Sequence, residues 1–190
     1  MRTFIAIELP DDIRSALDTL TVRLRASRIR ASWVRAENIH LTLRFLGEIS
    51  VDHVQRLSGI LASAYKDTVP FFLIVRGTGA FPNVRNPNIV WAGVEPAEGP
   101  LEKVQAAAET AALSIGCKAE RRSFHPHLTL ARIKDPAEGR KLLPYLAEER
   151  NWSAGAFQAA GVSLFSSQLT PHGAMYTRLA HFPFEGAGAG

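Results

Sequence analysis

Two histidines of this 190-residue chain stand in the same four-residue sequence, His-Leu-Thr-Leu, which occupies residues 40–43 and again residues 127–130. Histidine gains or loses a proton near neutral pH, so one imidazole can accept a proton from a nucleophile while another donates one to a leaving oxygen. Their surroundings must push the two pKa values apart for both roles to be filled at one pH. The repeat therefore predicts an acid and base pair made of His40 and His127.

The threonine in each copy extends this interpretation. Alternate side chains of an extended strand face opposite sides, so each copy places its histidine and threonine on one face and its two leucines on the other. The hydroxyls of Thr42 and Thr129 could then bind the anionic oxygens of a substrate held between the histidines. Phosphorus chemistry fits this arrangement, because in-line displacement places the attacking and leaving oxygens on opposite sides of the phosphate.

An arginine follows each copy, and strand alternation separates the two. Arg44 shares the face of His40, where its guanidinium could pair with a phosphate. Arg132 is turned away from His127, unless a bulge or the strand end redirects it. Both remain candidate phosphate contacts, with a surface or structural role as the alternative. His125 has the same parity as His127, but only His127 is followed by Leu-Thr-Leu, so His127 is the predicted partner.

The elements that must position these residues occur in the same order around both copies. Each half is predicted to contain a helix, the strand with the motif, a second helix and two further strands. A strand at 2–9 precedes the first half, and a short edge segment at 33–34 precedes its motif strand. The predicted elements are helix 11–24, strand 39–46, helix 51–65 and strands 70–81 and 88–95, then helix 100–115, strand 127–133, helix 137–149 and strands 157–166 and 175–182. Because the two halves repeat the same order of elements, we expect them to pack together and to bring the two histidine faces into one site.

Composition limits the class of protein. The length suits one domain or two small lobes that share a core, and 46% apolar with 21% charged residues is typical of a globular chain. Glu8 and Pro10 interrupt the N-terminal apolar run, so neither a membrane span nor a secretory signal is predicted. Cys117 is the only cysteine, which excludes an intramolecular disulfide and a zinc site of several cysteines. A reducing cytoplasm is therefore the expected location.

The charge favours polyanionic partners such as nucleic acid, since the formal net charge is +4 and the pI is near 9.6. Basic residues gather ahead of both motifs, namely Arg23, Arg25, Arg28, Arg30 and Arg35, and then Lys118, Arg121 and Arg122. Solvated helix faces and loops are the alternative explanation for most of them.

The paired motifs and their flanking sequences resemble a known family. WVRAENIHLTLRFLGEI surrounds the first copy and FHPHLTLARI the second. Both are similar to the two-histidine phosphoesterases, specifically the RNA 2′,3′-cyclic phosphodiesterases formerly described as 2′-5′ RNA ligases. The resemblance covers nearly the whole chain, including the N-terminal RTFIAIELP and the closing LFSSQLTPHGAMYTRL.

The resemblance implies an α+β fold that is bilobal and pseudo-twofold duplicated, with antiparallel sheets lining a central cleft and helices outside. It implies a single domain over residues 1–185, and the Gly-Ala tail at 186–190 is predicted to be disordered. By resemblance, His40 donates a proton to the leaving 3′-oxygen, and His127 activates water. Thr42 and Thr129 bind the phosphate, and no metal or other cofactor takes part. The implied substrates are RNA or nucleotides with 2′,3′-cyclic phosphate ends, the product carries a 2′-phosphate, and 2′-5′ ligation is an accompanying activity. A monomer with no membrane association and no obligate protein partner is expected.

Three other interpretations compete with this one. His40 and His127 could be exposed residues on two amphipathic strands, although the matching position in both halves argues against it. A noncatalytic RNA-binding module would use the basic charge and aromatics such as Trp33 or Trp152, but would not require two histidines. A zinc or iron site lacks an evident third ligand.

Overall fold

A computed structural model describes residues 1–171 and 173–187 of the chain. In these residues it contains nine strands, five α-helices and one 3₁₀ turn. The strands are β1 (Arg2–Ile7), β2 (Ser32–Trp33), β3 (Leu41–Glu48), β4 (Phe71–Phe81), β5 (Ile89–Glu95), β6 (His127–Arg132), β7 (Ser153–Ala159), β8 (Gly161–Thr170) and β9 (Gly173–Pro183). The helices are α1 (Asp11–Arg25), α2 (Val51–Tyr65), α3 (Pro100–Ser114), α4 (Pro136–Arg140) and α5 (Leu143–Glu148), and the 3₁₀ turn is Ala36–Asn38.

Most predicted elements are confirmed within two residues of their bounds, and two predictions are wrong. The single helix predicted at 137–149 is two short helices, α4 and α5. Pro144 lies in the first turn of α5, and inside a continuous helix its ring would clash with the carbonyl of residue 140. The strand predicted at 157–166 is the end of β7 and the start of β8, which are separated at Ala160.

Two antiparallel sheets carry one motif each, which confirms the predicted α+β fold. The first sheet has the order β3-β1-β8-β9, and the second has the order β2-β6-β5-β4-β7. The hairpin β4–β5 follows the first motif in the chain but lies in the sheet of the second, beside β6. The hairpin β8–β9 likewise lies beside β1, in the sheet of the first motif. Each sheet is therefore built from both halves of the sequence.

The helices cover the faces of the two sheets that point away from each other. Helices α2 and α3 pack together and against strands of the first sheet, whereas α1 and α5 pack together beside the second sheet. The Tyr65 hydroxyl donates to the Val104 carbonyl at 2.9 Å and so ties α2 to α3. The leucines of both motifs are buried in this core, namely Leu41, Leu43, Leu128 and Leu130. Burying each leucine stabilises the fold by roughly 2 kcal/mol and turns its neighbouring histidine and threonine to the opposite face.

The chain end is anchored as far as Gly186, whose amide donates to the Thr68 carbonyl at 2.9 Å. Residues 188–190 of the predicted disordered tail lie outside the described residues. In the described part of the chain, no helix has both the length and the apolar composition needed to cross a bilayer.

Candidate active site

A cleft of about 710 Å³ lies where the two motif strands approach each other. Both histidines and both threonines of the motifs line it, together with Arg132 and Tyr176. The structure thus brings together the four residues that sequence repetition singled out. They come from β3 in one sheet and β6 in the other, so the cleft is formed by both halves of the duplicated fold.

A β-bulge interrupts the first motif strand. On β1, the neighbours Ile5 and Ala6 are opposite Arg44 and Thr42 on β3, so Leu43 is an extra residue. An extra residue reverses the inward and outward alternation for every position that follows it.

The second motif strand has a bulge at the same position of the motif. On β5, the neighbours Val90 and Trp91 are opposite Ala131 and Thr129 on β6, which leaves Leu130 as the extra residue. Both bulges fall at the final leucine of His-Leu-Thr-Leu, so the two copies share a local backbone irregularity as well as a sequence.

The bulges correct both predictions made for the arginines. Strand alternation placed Arg44 on the histidine face and Arg132 on the opposite face. After the bulge, Arg44 and its counterpart Ala131 are buried behind the sheets, with Arg44 only 8% exposed. The next residues, Phe45 and Arg132, both line the cleft.

The Arg44 guanidinium is bound by other groups of the protein and is not available to a ligand. It forms an ion pair with Glu109 of α3, donates to the Phe45 carbonyl at 2.6 Å and donates to the Lys118 carbonyl. Arg44 therefore fastens β3 to α3 and to the segment after it, although part of its side chain borders the cleft. This is the structural role that the sequence left as the alternative.

Arg132 carries positive charge into the cleft. Burial is the main cause of the lowered pKa of His40 and of His127, and the charge of Arg132 lowers both further, so its guanidinium lies within electrostatic reach of both histidines. Burial raises the pKa of Tyr176, and the charge of Arg132 opposes this. A bound anion would meet this charge between the two imidazoles. Arg132 is the better candidate for a phosphate contact of the two arginines.

The two imidazoles are held in the same way. His40 Nδ1 lies 2.8 Å from the Asn38 carbonyl oxygen, and His127 Nδ1 lies 2.6 Å from the His125 carbonyl oxygen. Because a carbonyl oxygen can only accept, each Nδ1 carries the proton, and Nε2 is the nitrogen left for chemistry. The anchor in each case is the carbonyl two residues before the histidine.

His40 lies in an aromatic environment. Its ring stacks on Phe4, with centroids 4.5 Å apart and planes 20° apart, and the edge of Tyr176 packs against it at 5.3 Å. Burial among these rings lowers the pKa of His40 to about 4, an effect that the hydrogen bond to the Asn38 carbonyl opposes and the charge of Arg132 reinforces. His40 is therefore neutral at pH 7 in the free protein.

His127 has a smaller aromatic environment on the other sheet. Phe81 packs edge-on against its ring at 4.9 Å, and Trp91 lies 6.5 Å away. Trp91 can lie flat because it is opposite Gly79, where a Cβ atom would be 2.3 Å from the indole. Burial lowers the pKa of His127 too, and the charges of Arg132 and His125 add to this.

The threonine hydroxyls are free to bind a ligand. Thr42 and Thr129 both line the cleft, and neither hydroxyl has a hydrogen-bond partner within residues 1–171 and 173–187. Both side chains are partly exposed. They can therefore donate to the oxygens of an anion that lies between the Nε2 atoms.

The sequence also singled out His125 and Cys117, and only His125 lies in the cleft. His125 also lines the cleft, with an exposed side chain before β6, and its backbone carbonyl is the group that supports His127. Burial raises the pKa of the Cys117 thiol, which donates to the Leu46 carbonyl at 3.8 Å and is not in the cleft lining. Among the described residues, no three His, Cys, Asp or Glu side chains cluster in a way that could hold a metal ion.

Sequence reasoning missed the aromatic residues of the site. Phe4 and Tyr176 pack against His40, and Phe45 packs against Phe4, although the three aromatics come from three different strands. The only sequence signal for these aromatics is the position of Phe4 in the alternation of β1, which could have indicated that its ring shares a face with His40. Tyr176 belongs to the closing segment that resembles the family, but it lies 136 residues after His40 and no pattern in the sequence places it beside that histidine.

The arrangement and the sequence together identify the family. The chain matches the family described as LigT like phosphoesterase over residues 7–91 and 93–176, one segment for each motif. It therefore belongs to the LigT-like phosphoesterases, which confirms the resemblance found in the motifs.

Individual proteins are similar to this chain over almost its full length. An RNA 2′,3′-cyclic phosphodiesterase of Methanothermobacter thermautotrophicus is 31% identical over 182 residues, which cover 96% of this chain and 98% of that protein. The structure of TT0787 of Thermus thermophilus superposes with a TM-score of 0.81 at 29% identity, covering 98% of this chain and 99% of the other. E. coli LigT complexed with 3′-AMP superposes with a TM-score of 0.74 at 26% identity, covering 96% and 97%.

Proposed function

We propose that this phosphoesterase opens 2′,3′-cyclic phosphates at the ends of RNA or nucleotides and leaves 2′-phosphates, with two histidines and no metal ion. The observation that carries the proposal is the pair of histidines anchored through Nδ1, each beside a free threonine hydroxyl, in one cleft. The activity in the name of the Methanothermobacter thermautotrophicus relative and the 3′-AMP bound to E. coli LigT support the same substrate class.

In the proposed reaction, His127 Nε2 accepts a proton from water as the water oxygen bonds to phosphorus. The bond between phosphorus and the 3′-oxygen breaks, and His40 donates a proton to that oxygen. Thr42 and Thr129 donate to the other phosphate oxygens, and Arg132 offsets their negative charge. A 5′-hydroxyl in place of water would form a 2′-5′ phosphodiester by the same steps, which is the proposed ligase activity.

The proton donor role of His40 requires the substrate to change its protonation. With a pKa of about 4 in the free protein, His40 has no proton to give at pH 7. A phosphate anion beside Nε2 favours the imidazolium and opposes the charge of Arg132, so binding raises this pKa. The substrate would then bring the acid into its active form.

We expect NMR titration of the imidazoles to show this change. In the free protein His40 titrates near pH 4, and His127 below the usual histidine value. Adenosine 2′-phosphate, the expected product, should raise the pKa of His40 more than that of His127. The opposite order would exchange the donor and acceptor roles.

The activity itself is tested on adenosine 2′,3′-cyclic phosphate in excess EDTA. We expect turnover that EDTA does not change, with adenosine 2′-phosphate as the product identified by chromatography. Loss of activity on chelation would show a metal requirement. Binding of RNA without turnover would favour the noncatalytic RNA-binding module.

A further inference from the structure

A second pocket, of about 450 Å³, lies apart from the four motif residues. It shares no lining residue with the cleft, and its own lining residues are Arg76, Gly77, Glu95, Arg150, Asn151 and Trp152. The first three belong to β4 and β5, and the last three form the link between α5 and β7. The pocket therefore forms where this link meets two strands of the second sheet.

Gly77 holds the link against β4. It is the extra residue of a β-bulge, because its neighbours Arg76 and Thr78 are opposite consecutive residues of β5. Its φ of 72° lies in the left-handed region, which glycine adopts without strain. The Gly77 amide donates to the Trp152 carbonyl at 2.7 Å. The backbone thus fixes the link in a position from which its side chains line one pocket.

The link contributes three side chains with free nitrogen donors. The Arg150 guanidinium, the Asn151 amide and the Trp152 indole have no hydrogen-bond or ion-pair partner within the described part of the chain. Arg76, in contrast, is paired with Glu95 at 2.7 Å from Nε to Oε2, so Arg150 supplies the net positive charge of the pocket. Phosphate oxygens accept hydrogen bonds from all three kinds of donor. The pocket is therefore suited to a phosphate anion.

The pocket and His127 lie on one face of the second sheet. On β5, Gly93 is opposite His127 of β6 on one side and opposite Arg76 of β4 on the other. Residues that are opposite each other in neighbouring strands point to the same face. Gly93 places no side chain between His127 and Arg76. The other face of these strands is committed to the core by Val75, Ala92, Val94 and Leu128.

We propose that this pocket binds a backbone phosphate of the RNA chain that precedes the cyclic end. The inference rests on the proposed function and extends it from the terminal nucleotide to the chain before it. Two strand spacings of about 4.8 Å separate His127 from Arg76, or roughly 10 Å. Stacked nucleotides rise about 3.4 Å each, so about three nucleotides span this distance. RNA is favoured over other anions because a chain whose end is held in the cleft carries further phosphates at this distance.

The test compares two substrates with the same reacting end. Adenosine 2′,3′-cyclic phosphate fills only the cleft, whereas an adenosine tetranucleotide with a 2′,3′-cyclic phosphate end also reaches the pocket. Arg150→Gln should lower the kcat/KM of the tetranucleotide relative to that of the mononucleotide by about tenfold, the lower part of the range for a hydrogen bond to a charged group. Trp152→Phe keeps a ring against the core but removes the N–H, and should lower this ratio by about threefold.

Arg56→Gln is the matched control. Arg56 is an exposed arginine of α2 that lines neither the pocket nor the cleft. The ratio of the two kcat/KM values should be unchanged in this variant.

Binding of the tetranucleotide with a terminal 2′-phosphate, the expected product, gives a second measurement. Each phosphate contact on a single strand contributes about 0.7 to the slope of the logarithm of the binding constant against the logarithm of the salt concentration. Arg150→Gln should reduce this slope by about that amount, and Arg56→Gln should leave it unchanged. Fluorescence anisotropy at several salt concentrations measures both.

Three results would overturn the inference. An unchanged ratio and an unchanged salt slope in Arg150→Gln would mean that the RNA does not reach the pocket. Equal losses in Arg150→Gln and Arg56→Gln would show a general effect of net charge. Competition by a glutamate peptide of equal charge, as strong as that of the tetranucleotide, would show a site for any polyanion. If the wild-type protein opened neither substrate, the proposed function would fail, and the binding measurement would still decide the inference.

Discussion

Alanine at either His40 or His127 is expected to lower kcat for opening of adenosine 2′,3′-cyclic phosphate by about 10²- to 10⁴-fold, the contribution typical of one general acid or base. In the proposed mechanism each imidazole moves a different proton, so neither can replace the other. The loss should appear in kcat rather than in KM, because proton transfer is an interaction of the transition state. Steady-state kinetics at saturating substrate measure it directly.

His125→Ala is the matched control for these two variants. His125 is a histidine of the same strand parity as His127, but its carbonyl, which alanine keeps, is the group that supports the site. We expect this control to retain most of the activity. His40→Gln accompanies His40→Ala, since glutamine partly fills the space against Phe4, and thermal unfolding shows whether each variant is folded. Near wild-type turnover in folded variants of both histidines would contradict the mechanism.

The pH profile separates the two roles. If His127 is the base, the falling activity at acid pH follows its protonation, and His127→Ala should lose that limb of the profile. The limb at higher pH belongs to the acid in the enzyme-substrate complex, which in the proposed assignment is His40. These limbs report macroscopic pKa values of the coupled pair.

The four residues of the two His-Thr pairs were predictable because their signal is local. A leucine at alternate positions commits one face of a strand to the core and leaves the other face to histidine and threonine. Each histidine is also anchored to the carbonyl two residues before it, which lies in the same stretch of chain. The aromatic environment of His40 was not predictable, since Phe4, Phe165 and Tyr176 reach it through the pairing of distant strands.

The assembly of the sheets was also beyond the sequence. The order of elements along the chain showed a duplication, but the order does not say which sheet a hairpin will join. In the structure β4–β5 and β8–β9 each extend the sheet of the other motif. That choice depends on which exposed edges and apolar faces fit together, which is a property of tertiary packing.

The two arginines that follow the motifs are expected to affect different properties when they are replaced: Arg44 the stability of the fold, and Arg132 the activity. Arg44→Met should lower the free energy of unfolding by about 2–3 kcal/mol, because it leaves the Glu109 carboxylate and the Lys118 carbonyl without their partner. This is less than for a fully buried pair, since Glu109 keeps some contact with water. Arg132→Met should leave stability within about 0.5 kcal/mol and lower kcat/KM by about 10- to 100-fold, the value of a charge-assisted hydrogen bond to phosphate.

Urea unfolding and steady-state kinetics on both variants measure these effects, and each variant is the control for the other. Arg132→Met should also raise the pKa of both histidines in the free protein, because its charge lowers them in the wild type. Simple alternation along the strands predicts the reverse pattern, with Arg44 needed for activity and Arg132 dispensable. A loss of activity in Arg44→Met that exceeds the loss in Arg132→Met, with both proteins folded, would show that the bulges at Leu43 and Leu130 do not set the direction of these side chains. The expected pattern would instead show that one extra residue in each strand decides which cation meets the phosphate.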